Sequence, residues 1–183
     1  MRRRKDKSKG TFKKSHAVDV GGHVGSIRLL DNGAPPYELR IDKEGRWFHE
    51  GVEIVREDIR DLFSQHLVLS DDGSYYVQIG NDECPVIVED APFVVVRVTK
   101  EPPAGLVLLL NDGRTERLIG NTVRFKNSNV PYCRVRNGLE ARFSRPAYYQ
   151  LAEYIQYDER KDRFFLAVAG EDVELEISEK GVE

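Results

Sequence analysis

The sequence predicts an α+β protein of two related units, each a strand, a hairpin, a helix and a second hairpin, with antiparallel sheets packed on one helix apiece. Three observations predict it. Apolar residues take helical spacing at Val55, Ile59, Leu62 and Phe63, and again at Ala147, Tyr148, Leu151, Ala152 and Ile155. Short alternating runs closed by glycine turns lie on either side of both stretches. The segments of the first half also return in the second, in the same order, at an offset near 87 to 89 residues. The expected layout is a basic arm over residues 1–15, a first unit over 16–99 and a second over 100–183.

Eight basic residues (Arg2, Arg3, Arg4, Lys5, Lys7, Lys9, Lys13 and Lys14) face one acid, Asp6, in the first 14 positions. Their mutual repulsion, with Phe12 the single large apolar side chain, predicts an arm without regular structure. Gly21-Gly22 and Asp31-Asn32-Gly33 then flank a short strand, Ser26 to Leu30. Tyr37 to Asp42 reads as a strand and Lys43-Glu44-Gly45 as a turn. Arg46 to Phe48 and Val52 to Val55 form a hairpin about His49-Glu50-Gly51. The first helix spans Arg56 to His66, with Glu57 and Asp58 in its first turn, where acids suit the helix dipole. Tyr75 to Ile79, Val86 to Val88 and Phe93 to Val98 are strands, and Glu101 to Gly105 is the expected linker. It need not separate independent domains, because units of about 55 residues would expose too much core alone.

Leu106 to Leu110 and Thr115 to Ile119 open the second half as strands about the Asn111-Asp112-Gly113 turn. Leu39-Arg40-Ile41 is matched by Val123-Arg124-Phe125, and the hairpin Phe48 to Ile54 by Val135 to Ala141. Tyr75 to Ile79 and Val86 to Val88 answer to Phe164 to Val168 and Val173 to Ile177. Register decides which hairpin side chains share a face. A two-residue Asn137-Gly138 loop would mix charged and apolar groups on both faces. A three-residue loop ending in Gly138 pairs Val135 with Leu139, Arg134 with Glu140, Cys133 with Ala141 and Tyr132 with Arg142. Cys133, Val135, Leu139, Ala141 and Phe143 then share an apolar face, so the three-residue loop is expected. The same rule in the first unit puts Phe48, Val52 and Ile54 inside and Trp47 and Glu53 outside. Ser144 caps the second helix and Pro146 sits in its first turn, where no intrahelical N–H is needed.

Composition excludes several classes. The longest apolar run, about five residues, falls far short of the ~20 of a membrane span, and no apolar stretch follows the basic N-terminus as a secretory signal requires. Two cysteines, Cys84 and Cys133, lie far apart without CxxC spacing, which predicts reduced thiols and a cytoplasmic location. Outside the first 14 residues the chain holds 20 basic and 30 acidic side chains, a net of −10. That charge opposes nucleic-acid docking except through Arg2 to Lys14, whose binding would be salt-dependent and lost on deleting the arm. The histidines His16, His23, His49 and His66 are dispersed and no His/Cys pair has metal-ligand spacing, so neither a metal nor a cofactor is expected. A phosphate-loop pattern is missing, and Asp71-Asp72-Gly73 reads as a turn. Cys133 on the buried face predicts an inert thiol, and His49 an exposed loop residue.

Three runs carry a resemblance: Gly45 to Gly51 with Arg56, Val88 to Phe93, and Arg136 to Arg142 with Arg145, Tyr148, Tyr149 and Leu151. Over roughly residues 35 to 178 the chain resembles the bacterial domain-of-unknown-function family numbered 1285, the last run being the most specific. The resemblance implies two related α+β domains with a cleft between them, a small nucleotide-like ligand there and a signalling role. The chain departs from the family pattern at Gly80 to Cys84 and at Leu110 to Gly113, which puts any ligand contact at those places in doubt.

No catalytic set stands out, so a non-enzymatic binding or signalling module with a small anionic ligand in the inter-unit cleft is the favoured function. The alternative is an enzyme of unknown reaction using carboxylates such as Glu53, Glu140 and Asp90. The candidate ligand-binding residues are Trp47, Tyr132, Arg134, Glu140 and Arg142. Arginine forks take phosphate or carboxylate oxygens in pairs, and an aromatic face stacks on a planar base. The competing reading of the same residues is a surface network in which Glu140 bridges Arg134 across the strands and Arg142 along one of them.

Overall fold

The computed structural model describes residues 38–103, 105–126, 129–168 and 170–175. The basic arm and the strand expected at Ser26 to Leu30 lie outside these residues. The first half runs β1 (Leu39–Ile41), β2 (Trp47–His49), β3 (Val52–Glu53), α1 (Glu57–Gln65), β4 (Leu67–Leu69), β5 (Tyr75–Ile79) and β6 (Asp82–Val88). Its strands form one six-stranded sheet in the order β3-β2-β1-β6-β5-β4, closed in the middle by β1 running parallel to β6.

The second half runs β7 (Phe93–Glu101), β8 (Gly105–Leu110), β9 (Thr115–Arg117), β10 (Arg124–Lys126), β11 (Val130–Arg134) and β12 (Glu140–Phe143). Then come α2 (Arg145–Ala152), β13 (Ile155–Asp158), β14 (Arg163–Val168) and β15 (Glu171–Leu175). Strands β7 to β12 make a second six-stranded sheet, ordered β10-β11-β12-β7-β8-β9, and β13 to β15 a separate three-stranded one. Over the described residues the architecture is therefore mostly β with two α-helices. One hydrophobic core runs through it, from Ile41 and Trp47 through Phe93, Leu108 and Phe143 to Leu151 and Leu166.

From β10 to β15 the second half repeats the first half's element order of three strands, a helix and three strands, but not its sheet order. In the first half the opening strand β1 pairs with the closing strand β6. In the second, β12 pairs in parallel with β7, and the closing strands form their own sheet. One shared strand topology for residues 38–88 and 122–177 is thus overturned. The long strand β7, assigned to the first unit by the sequence reading, captures the β12 edge and belongs to the second sheet. The expected linker is instead the tip of the β7–β8 hairpin, where Glu101 faces Gly105.

The second hairpin has the expected register, with Tyr132 opposite Arg142, Cys133 opposite Ala141 and Arg134 opposite Glu140. The first does not follow the same rule. Its loop is two residues, Glu50 and Gly51, at φ 48° and 78°, a geometry that matches the twist of the flanking strands. His49 therefore faces Val52 and Phe48 faces Glu53. That shift turns Trp47 into the core, 4% exposed and 5.5 Å from the Phe63 ring, and leaves Val52 71% exposed. Val55 also lies outside, and α1 meets the core through Phe63, with Ile59 and Leu62 half-buried. Ser144 caps α2 by accepting from the Ala147 N–H, and Gln150 ties the helix to β7 by accepting from the Val98 N–H at 2.7 Å.

The turn between β1 and β2 is built around Asp42, only 4% exposed. Its carboxylate accepts from the N–H groups of Glu44 (3.0 Å) and Arg46 (2.9 Å) and from Arg46 Nε (2.8 Å). Burial pushes the carboxyl up, but the Arg46 and Glu44 donors together outweigh it and hold the group below its ordinary value. Gly45 in this turn has φ +77°, and its carbonyl accepts from Asn111 Nδ2 of the second sheet at 2.9 Å. A Cβ there would come within 2.4 Å of the same Nδ2.

Two outcomes follow for stability. Gly45→Ala combines a left-handed backbone with that clash and is expected to cost roughly 1–3 kcal/mol in urea unfolding. The Asp42 contribution is fully present above the ordinary carboxyl range near pH 4 and lost as pH falls through its lower folded value. Asp42→Asn should therefore flatten the acid limb of the stability–pH curve and cost about 1–3 kcal/mol at neutral pH.

Candidate functional site

The chain passes from the first sheet to the second through four residues, Glu89 to Pro92, between β6 and β7. Two adjacent acids there point to opposite sides. Glu89 takes Arg40 and the Lys43 N–H (3.3 Å) of the first sheet. Asp90 takes the Tyr132 hydroxyl of β11, which donates to its two oxygens at 2.8 and 3.0 Å. Arg142 of β12 stands across from Tyr132, with Nε 3.3 Å from Asp90 Oδ2 in an ion pair rather than a directed hydrogen bond. Its Nη2 donates to the Lys43 carbonyl of the first sheet at 2.7 Å.

The Tyr132–Arg142 end of the second hairpin's outer face is thus a seam between the two sheets, while its Arg134 end is exposed. Tyr132 is 2% exposed in the seam. Burial first, then the hydrogen bond to Asp90 and its charge, push the phenol up to about 12. Lys126 of β10 lies 4.7 Å from the centre of the Tyr132 ring and binds Glu140 at 2.6 Å. Arg134 is exposed, and among the described residues its guanidinium has no ion-pair partner. Burial, then the Glu140 charge, push the Tyr75 phenol of β5 up, while Arg134 pulls it down.

Four of the five expected residues, Tyr132, Arg134, Glu140 and Arg142, therefore share this face. Trp47 does not: its two-residue loop turns it into the core, where no ligand ring can stack on it. Of the three carboxylates considered, Glu53 sits exposed on edge strand β3, while Asp90 and Glu140 are each engaged by a cation. The network Glu140 makes is with Lys126, in place of the bridges expected to Arg134 and Arg142.

Arg136 is not among the expected site residues, yet it binds two carboxylates and stacks on a ring. It binds Asp112 and Glu116 (2.6 Å) and lies 4.3 Å over the Phe93 ring, fixing the hairpin loop to the β8–β9 turn and its strand. The acidic turn residue Asp112, 24 positions upstream, gave no sequence signal of this pairing. Cys84 and Cys133 are buried thiols pushed up by desolvation to about 11 and about 12. Among the described residues no group of three or more His, Cys, Asp or Glu is arranged to hold a metal ion, and no helix is long and apolar enough to cross a membrane.

Tyr132→Phe leaves Asp90 without its hydroxyl donor and is expected to cost about 1–3 kcal/mol in equilibrium unfolding. A phenol with a raised folded value gives stability that is fully present below its ordinary range near pH 10 and lost as pH climbs to about 12. The gap between wild type and Tyr132→Phe should therefore narrow over that window, which unfolding titrations at pH 9 to 12 would read.

Comparison with known proteins matches this division of the molecule. The model of the domain of unknown function DUF1285, N-terminal domain, covers residues 34–91, and that of the protein of unknown function DUF1285, C-terminal domain, covers 92–175. The two meet inside the Glu89–Pro92 connector. A crystal structure of a DUF1285 family protein from Silicibacter pomeroyi DSS-3 is similar at 28% identity and a TM-score of 0.64, over 75% of this chain and 79% of that one. One from Shewanella baltica OS155, 22% identical, shares the fold with a TM-score of 0.58 over 64% of this chain and 92% of its own. No curated protein matches at a significant level. Two family models matched end to end over residues 34–175 place the chain in the DUF1285 family.

Proposed function

We propose that the chain is a non-enzymatic, cytoplasmic binding module whose seam between the two sheets takes a small anionic ligand and passes its presence on as a signal. The observation that supports this is Arg142, which spans both sheets through Asp90 and the Lys43 carbonyl. A phosphate or carboxylate offers a guanidinium better acceptors than a backbone carbonyl does. An arriving anion would compete with Asp90 and Lys43 for Arg142 and would add the free charge of exposed Arg134. Binding would then alter the contact between the sheets, which is the physical content of a signalling role.

With Trp47 in the core and Tyr132 2% exposed, the anion and not a stacked ring carries this reading. The enzyme alternative has less support, because Asp90 and Glu140 are already neutralised by cations and Glu53 lies on an outer strand.

The test is a thermal-shift screen of nucleotides and phosphorylated metabolites against wild type, Arg134→Ala and Arg142→Ala. A ligand at 100 times its Kd should stabilise wild type by about 2.7 kcal/mol and neither variant appreciably. Arg134→Ala is the cleaner arm, since Arg142→Ala also removes a bridge between the sheets. Stabilisation kept by both variants would place the ligand elsewhere, and turnover of any hit would favour an enzyme.

A further inference from the structure

Away from the seam, a pocket of about 320 Å³ opens between the end of β9 with the short 3-10 turn after it (Gly120–Thr122) and the β14–β15 sheet. Its size lies at the lower end of the ~300–1,000 Å³ range of small-molecule sites. Val168, Val173 and Ile119, the last 56% exposed, give it an apolar lining. Gly120 lets the turn sit directly on β15, because a Cβ there would come within 2.9 Å of Val173 Cγ2.

Its charges are the informative part. Arg117 and Glu171 line the same pocket, and both are exposed. Arg117 and Glu171 have no partner, with each other or with any other described residue. One guanidinium and one carboxylate, unpaired in a pocket with an apolar lining, complement a molecule that carries a carboxylate, an ammonium and a hydrocarbon group. We propose that this pocket binds a free α-amino acid with an apolar side chain. Arg117 receives the carboxylate and Glu171 the ammonium, while Ile119, Val168 and Val173 cover the side chain.

The proposal is independent of the seam, since neither Arg117 nor Glu171 belongs to it. Isothermal titration calorimetry of the full chain with L-leucine, L-valine and L-phenylalanine tests it. At least one should bind saturably at millimolar concentration. Its carboxamide, which lacks the carboxylate, and its N-acetyl derivative, which lacks the ammonium, should each bind at least tenfold more weakly. Arg117→Ala should weaken the amino acid at least tenfold without changing the affinity for the carboxamide. Glu171→Gln should do the same for the amino acid and leave the N-acetyl derivative unchanged. Both side chains are exposed and unpaired, so both variants should keep the wild-type thermal midpoint. The idea is overturned if none of the three amino acids binds, if the truncated analogues bind as well as the parent, or if binding survives both substitutions.

Discussion

The junction between the two sheets depends on a five-residue turn, Asp42 to Arg46, held closed by one buried carboxylate. Asp42 binds two backbone N–H groups and a guanidinium, and this fixes the direction of the turn's remaining polar groups. The Lys43 N–H then meets Glu89 of the connector, the Lys43 carbonyl meets Arg142, and the Gly45 carbonyl meets Asn111. Asn111 in turn accepts from the Val94 N–H at 3.0 Å, which carries the linkage into β7. A carboxylate local to the first sheet therefore orients three contacts to the rest of the molecule, and the shared core can close only beneath them.

Much of this was legible in the sequence where one face must be apolar. The β11–β12 register followed from the need to gather Cys133, Val135, Leu139 and Ala141, all of which are buried. The first hairpin lacked that constraint. Its strands are three and two residues long, and swapping Phe48 and Val52 for Trp47 leaves an apolar inner face either way. Loop geometry at Glu50 and Gly51 decides the matter, and glutamate at positive φ is not a residue that announces itself. Strands β4 and β13 were unread for another reason. Each directly follows a helix, with only three or four residues in which to show alternation.

The candidate site was partly legible for the same physical reasons. Shared parity along β11 and β12 put Tyr132, Arg134, Glu140 and Arg142 on one face, as the structure does. What that face meets is a tertiary fact. Asp90 and Lys43 approach it from 42 and 99 residues away, and no local pattern marks them as partners. Arg136 is similar: a loop arginine in sequence, it becomes a clamp only once β9 brings Glu116 alongside.

The two parallel pairings also set an order of events as the chain is made. The first sheet needs nothing beyond Val88, since β6 closes it by pairing with β1. The second cannot close until Phe143 has appeared, because its central strand β7 waits for β12 across a long intervening segment. The strand that completes it is the one that carries Arg142 to the Lys43 carbonyl. The turn around Asp42 uses only its own neighbours and can form early. During synthesis the turn can therefore meet Asn111 first, and it receives an arginine about a hundred residues downstream of Lys43 only as the second sheet closes.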